Sequence, residues 1–442
     1  MRTKPLWWVI SLLVMAAMLL AACSPAATPA AQPAADTPAA QPAADTPAAE
    51  PAADTPAAEP AADTPVPQEP AEEFVFGMLL VGPYNDRGWS QAHYDAGLYV
   101  QEKLPGTRMI YVDKVNPADR QGTTPAQLAE GLLAQGAQLI FFNSDDMKDS
   151  ALDFARAHPD VPVIHASGDA SWEEGHDFQN QSNIANIMGR MEYGKMIAGC
   201  AAALTTETGQ IGYLGPLIND ETRRLAASAY LGASYCWEEY LGNDPADLAF
   251  RVTWIGFWFN IPGFTSDPTQ VANEFFNTGY DVVISGIDTT EGLTEAGRAA
   301  AAGRQVWAVP YDYIGACAPA EEVCLGVPYF NWGPDYLEEV QNVIDGSFQP
   351  IFEWNGPDWN DINNHDTSAV GFVKGNALSD EASAHVDDFI AALAGGLNLW
   401  TGPLNLQDGT PYLADGEVAT DQQIWYLPQL LEGMDGQSVP SE

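Results

Sequence analysis

The chain has 442 residues and carries 60 acidic against 17 basic side chains, a formal net charge of −43. That balance argues against nucleic acid and anionic lipid headgroups as partners, because both are held by Lys and Arg. Acidity speaks for solubility and self-repulsion and names no ligand. A hydrophobic share of 46% is ample for a packed core, and the length suits two domains plus extensions.

In chain order, residues 1–23 read as a targeting segment outside the fold: Arg2 and Lys4 precede the apolar run Leu6–Leu20. The ending Leu20-Ala21-Ala22-Cys23 is similar to a bacterial lipoprotein box. That similarity implies cleavage before Cys23, a lipid on its thiol, and a mature chain tethered outside the cell membrane without spanning it. A plain secretory signal, or a membrane helix with a chance Cys, is the alternative. Residues 24–73 repeat PAADTPAAQ or PAADTPAAE with prolines at Pro33, Pro42, Pro51 and Pro60. Pro and charge prevent a core there, so the segment reads as a semi-extended stalk.

The folded part begins near Glu73 and alternates. Apolar runs at Phe74–Val81, Met109–Asp113, Gln138–Asn143, Val161–Ala166, Gln210–Leu214, Phe250–Gly256, Asp281–Ser285 and Gln305–Val309 predict strands. Thr124–Gln135, Asp149–His158, Gly189–Thr205, Glu221–Tyr240, Thr269–Gly279 and Thr290–Ala302 predict helices. Near-continuous apolar strands between helices predict parallel sheets covered on both faces. The fold class is therefore α/β, and because the pattern restarts, two lobes are expected in place of one eight-stranded sheet.

Ligands of such sheets bind beyond the carboxyl ends of the strands. After the first strand, Gly82, Pro83, Asn85 and Asp86 form a polar turn that opens a helix, with Asp86 as its cap. Trp89 offers a face for a small planar ligand, and Asp86 or Gln91 offers hydrogen bonds to its edge. The alternative is a capped helix with Trp89 in the core. Asn143-Ser144-Asp145-Asp146 ends a strand of the first half as Ser285-Gly286-Ile287-Asp288 does in the second. A cleft between two lobes would collect both sets.

Four cysteines lie in the folded part. Outside the cell they read as two disulfides sooner than as metal ligands. Cys317 and Cys324 flank a short loop and are expected to pair; Cys200 and Cys236 sit on helices, where a bridge and two buried thiols both remain open. His93, His158 and His165 have no metal-ligand spacing, and neither a metal nor a cofactor is expected.

The stretches NDRGWSQAHYDAG (85–97), GRMEYGKMIAGCAAA (189–203), IGYLGPL (211–217), WIGFWFN (254–260), VPYDYIG (309–315), YFNWGPDYLEEVQNVIDG (329–346) and GPLNLQDGTPYLADGEVATDQQI (402–424) together resemble the basic membrane protein (BMP) family of ABC-transporter solute-binding lipoproteins, which includes purine-nucleoside receptors. The resemblance covers most of residues 74–435. It implies a type I periplasmic-binding fold, two doubly wound lobes joined by three crossovers with the ligand cleft between them. One lobe would take residues 74–185, completed by about 330–370, and the other 186–329, completed by about 371–435.

It also implies site residues. Trp89 and Trp258 take the two aromatic positions that sandwich a purine, Asp86 the first-loop acid, Asp312 the later acid that contacts the sugar in nucleoside receptors, and Gly286 the close backbone approach; with the purine clamped between the two rings, Asp86 and Asp312 are expected on its edges. The region holding a ribose-binding lysine in nucleoside receptors reads Asn331-Trp332-Gly333 here, which favours a free base or another flat ligand over a nucleoside. The full candidate set is Asp86, Trp89, Gln91, Asn143, Ser144, Asp145, Trp258, Gly286, Asp288, Asp312 and Trp332, with Cys23 for lipidation. The expected partners are a purine base or nucleoside and an ABC permease, with the receptor a monomer and not an enzyme. A nucleoside hydrolase or glycosidase using Asp145, Asp146, Asp288 and Asp312 is the competing class. Against it, the chain lacks a Gly-x-Ser-x-Gly elbow. A sensor that does not transport is a third reading.

Overall fold

The computed structural model describes residues 73–440. The targeting segment, Cys23 and nearly all of the stalk lie outside the described residues. Each of the predicted strands and helices forms, with ends within two residues of those expected. The helix expected from Asp86 starts at Trp89.

Two parallel sheets carry the fold. The first has the order β11-β5-β4-β3-β1-β2, from β1 (Phe74–Leu79), β2 (Thr107–Val112), β3 (Leu139–Phe142), β4 (Val163–Ala166), β5 (Ile184–Gly189) and β11 (Phe352–Asn355). The second has the order β15-β7-β6-β8-β9, from β6 (Gln210–Gly215), β7 (Ala249–Trp254), β8 (Val282–Ser285), β9 (Trp307–Val309) and β15 (Met434–Asp435). Central strands such as Leu139–Phe142 and Val282–Ser285 are buried at every residue, which is why they read as unbroken apolar runs. Helices α1 (Trp89–Lys103), α2 (Pro125–Leu133), α3 (Lys148–Ala157) and α8 (Gly333–Ile344) cover the first sheet. Helices α4 (Met191–Ala203), α5 (Asp220–Glu239), α6 (Pro268–Asn277), α7 (Glu291–Ala301) and α9 (Asp380–Ala394) belong with the second.

The boundary expected at 185/186 falls inside β5, which belongs whole to the first sheet. Its segment was not among the predicted strands, because Asn183 and Asn186 break the apolar run. Both asparagines are buried and spend their amides on neighbouring segments, Asn183 on the Ala155, His158 and Val161 carbonyls and Asn186 on the Ser171 amide and the His165 carbonyl. The chain passes between lobes after Gly189, after β10 (Gly326–Phe330) and along β12 (Val370–Lys374). The last two pair antiparallel with Phe330 opposite Val370. A β-carbon on Gly189 would lie 2.8 Å from the Phe330 ring and 2.9 Å from Val370, so the three crossovers touch.

A C-terminal segment, which carries the antiparallel pair β13 (Leu404–Asn405) and β14 (Pro411–Leu413), then ties the lobes once more. Its short helix α10 (Asp421–Trp425) packs Trp425 against Trp172, Phe352 and Trp354 of the first lobe, while β15 extends the second sheet. Cys317 and Cys324 are bonded as expected, and Cys200 is bonded to Cys236, joining α4 to α5. Those two helices pack closely because Gly199 and Gly232 face backbone: a β-carbon at either would come within about 2 Å of the Ala229 or Met196 carbonyl oxygen. No described helix is long and apolar enough to cross a membrane.

Candidate functional site

The carboxyl ends of the two sheets face each other, and the lobes are in direct contact there. From the first lobe come Trp89, Ser144, Asp145 and Ser167; from the second come Tyr213, Glu221, Trp258, Gly286, Asp288 and Tyr311. Together they line one slot of about 20 Å³, roughly the room of a single water. The Asn219 amide donates to Asp145 across the cleft at 3.3 Å. The Asp288 carbonyl abuts Gly88 so closely that a β-carbon there would sit 1.6 Å from its oxygen. This is a closed form.

The structure sorts the eleven candidates by position. Trp89, Ser144, Asp145, Trp258, Gly286 and Asp288 line the slot. Trp89 is held by its indole nitrogen donating to the Asn143 carbonyl at 2.5 Å and by edge-on contacts to Phe330 and Trp332. Trp258 is 8% exposed, and its carbonyl accepts from the Asp288 amide at 3.0 Å. Gly286 faces the Tyr213 ring, which a β-carbon would meet at 2.7 Å.

Four candidates are spent on the protein itself. Asp86 accepts from the amides of Gly88, Ser90 and Gln91 at 2.9–3.1 Å, so it organises the start of α1. Burial pushes its pKa up to about 6 against those amides, which pull it down. Gln91 accepts from the Arg87 amide at 3.0 Å and holds the same turn. Asn143 accepts from Val81 at 2.9 Å, pinning β3 to the end of β1; its Nδ2 has no partner. Trp332 is 2% exposed and stacks on His93 and Phe330 with centroids 4.3 and 4.9 Å away, behind Trp89. These residues support the slot from outside it.

Asp312 has an unusual setting. It is fully buried, its φ is +72°, and neither carboxylate oxygen has a hydrogen-bond partner. A non-glycine residue in that backbone region is uncommon and persists only where its surroundings impose it. Burial drives its pKa well up, Lys195 opposes this, and Asp86 and Glu221 add repulsion. Asp288 is raised likewise, first by burial and then by Asp312, Asp86 and Glu221.

Sequence reasoning missed Lys195, Glu221, Ser167, Tyr213 and Tyr311. Lys195, on α4, is wholly buried; its ammonium donates to the Ser285 carbonyl at 2.7 Å and lies 3.1 Å from the Tyr311 ring centroid. Burial lowers its pKa to about 7, against the pull of Asp312 and Glu221. Glu221 is raised to about 7, mainly by burial. Ser167 was findable: Ser167-Gly168-Asp169 is a polar turn directly after β4, the same position that singled out Asn143 and Ser285. Lys195 and Glu221 gave no signal, since each is a charge inside a helix that reads as solvent-facing. Among the described residues, no group of His, Cys, Asp and Glu side chains is placed to hold a metal ion.

The sequence model of the Bmp family, described as ABC transporter substrate-binding protein PnrA-like, matches residues 74–236. The purine-binding protein of Brucella abortus is 26% identical over 365 residues, covering 82% of this chain and 93% of its own. These matches make the chain similar to the BMP family, over residues 74–236 for the family model and over most of the chain for the Brucella relative. Basic membrane protein B of Borrelia garinii is 22% identical over 234 residues, covering 51% of this chain and 63% of its own. An ABC-transporter solute-binding protein of Conexibacter woesei, 17% identical, superposes with a TM-score of 0.52 over 73% of this chain and 97% of its own. That likeness shows the fold, type I periplasmic-binding, as expected from the sequence. The family so matched is described as substrate-binding proteins of ABC transporters.

Proposed function

We propose that this protein is the receptor of an ABC importer that captures a purine base or nucleoside in the inter-lobe cleft, tethered by lipid at Cys23 and delivering its ligand, as a monomer, to a permease. The observation that carries the ligand class is the pair Trp89 and Trp258, one from each lobe, lining a single slot with Asp145 and Asp288 at its edges. Large flat faces suit a heteroaromatic ring, and carboxylates accept from its ring and exocyclic N–H groups. The named purine-binding relative supports the same class. These acids then act as hydrogen-bonding groups, and no acid–base chemistry is asked of them. The slot at about 20 Å³ is too small for a ring, so the ligand enters with the lobes apart.

Calorimetry of residues 73–442 with adenine, guanine, hypoxanthine, their nucleosides and glucose tests this. Purine binding with no turnover is expected. Binding of glucose alone would refute the ligand class, and hydrolysis of a nucleoside would refute the receptor reading.

A further inference from the structure

Asp145, Ser167 and Glu221 line the slot on one side and a neighbouring side chamber of about 180 Å³ on the other, several times the room of the slot itself. Arg224 of α5 lines the chamber, and Trp425 and Tyr426 of the C-terminal segment bound it. The guanidinium of Arg224 lies over the Trp425 ring, 4.0 Å from its centroid.

The chamber holds polar groups that the fold leaves unanswered. The Arg224 side chain is 1% exposed; its Nε donates to Glu192 at 2.7 Å, but its Nη2 has no partner. Ser167 is 4% exposed, its Oγ has no partner, and its backbone sits at φ +70°. A buried polar group without a partner is costly and calls for an explanation. Asp169, by contrast, already accepts from the Tyr426 hydroxyl, and Lys148 is paired with Asp177.

The mixture selects a chemistry. A phosphate or carboxylate would satisfy Arg224 but meet Asp145, Asp169 and Glu221. An ammonium would satisfy those acids and leave Arg224 without an acceptor. A hydroxyl both donates and accepts, so a hydroxylated arm answers the acids, Ser167 and Arg224 together. Resting on the purine reading, we propose that the side chamber is a subsite for a hydroxylated substituent carried by the ring. The C-terminal segment thus forms part of the ligand site. This departs from the preference for a bare base that the missing ribose lysine implied. A sugar on a ring nitrogen and a hydroxyalkyl group on an exocyclic amine share this chemistry and leave the ring in different directions.

The test is calorimetry of wild type and Ser167→Gly with adenine, adenosine, N6-(2-hydroxyethyl)adenine and N6-(2-aminoethyl)adenine. Glycine suits the positive φ, so this variant removes the hydroxymethyl group without straining the backbone. One of the two hydroxylated ligands should bind at least tenfold tighter than adenine, and which one does identifies the arm. Ser167→Gly should weaken that ligand by about 2- to 12-fold and weaken adenine by less, so the preference over adenine shrinks. If adenine binds and neither hydroxylated ligand gains, or the aminoethyl compound binds tightest, the subsite is wrong while the purine reading stands. If adenine and adenosine both fail to bind, the purine reading itself has failed.

Discussion

Gly88 decides whether the cleft can shut. It lies in the turn before α1, against the backbone of Asp288 in the other lobe. A β-carbon at position 88 would lie 1.6 Å from the Asp288 carbonyl oxygen, where real contacts stay beyond 3.0 Å. Both sides of this contact are backbone, so no rotamer change relieves it. In Gly88→Ala the lobes must stop about 1.4 Å short at this point, the difference between those two distances. Overpacking of one methyl costs about 1–3 kcal/mol. The cost falls on the closed state alone, so the apparent Kd should rise about 5- to 150-fold. The lobes themselves should fold as before, because Gly88 meets nothing else within its own lobe closer than these atoms. Calorimetry measures the affinity, and small-angle scattering with and without ligand measures compaction. Wild-type affinity together with wild-type compaction in Gly88→Ala would refute the assignment of this contact to closure.

Trp89→Ala and Trp258→Ala should each weaken purine binding about ten- to a hundredfold, since stacking on a base is worth about 1–3 kcal/mol. Trp332→Ala should instead lower thermal stability by about 3–5 kcal/mol, because that ring is core; equal affinity losses in all three would refute this division. The Cys200–Cys236 bridge closes 36 residues and Cys317–Cys324 closes 7. Chain-entropy arithmetic then makes the first worth about 4 kcal/mol and the second about 2, so Cys200→Ser/Cys236→Ser should lose more denaturant stability than the other pair. Asp86 and Glu221 have pKa values raised to about 6 and 7, so the native state binds more protons than the unfolded chain between pH 4 and 7. Ligand-free stability should therefore rise as pH falls from 7 toward 4, read as melting temperature, and a fall on mild acidification would contradict the buried-carboxyl assignment. Cys23→Ser should release the protein from membranes or leave its precursor uncleaved; an acylated, membrane-bound variant would end the lipid-anchor proposal.

How much was legible in the sequence follows from the range of the forces involved. Strand and helix positions came through because burial on a parallel sheet leaves a local trace: Leu139–Phe142 and Val282–Ser285 are apolar throughout because both faces are covered. Polar residues at strand ends were visible for the same local reason, and Asn143, Ser144, Asp145, Gly286 and Asp288 were found that way. Local pattern did not separate residues that face the slot from those that hold it. Asp86 and Asp145 look alike in sequence, yet one is consumed by three backbone amides and the other lines the cleft. Trp89 and Trp332 differ in the same manner, one a wall of the slot and one the layer behind it.

Tertiary structure alone decided the rest. β5 was hidden because its asparagines serve segments distant in sequence, and Lys195 and Glu221 were hidden because a charge on a helix becomes buried only when another lobe arrives. Gly88 is one glycine among 39 until Asp288 is brought against it from 200 residues away. The sequence by itself determined the two sheets, the positions of their carboxyl ends and the resemblance to the BMP family, all of which rest on periodicity or order along the chain. Closure, the side chamber and the division of the acids depend on which surfaces meet, and that is set by packing between segments whose spacing along the chain carries no record of it.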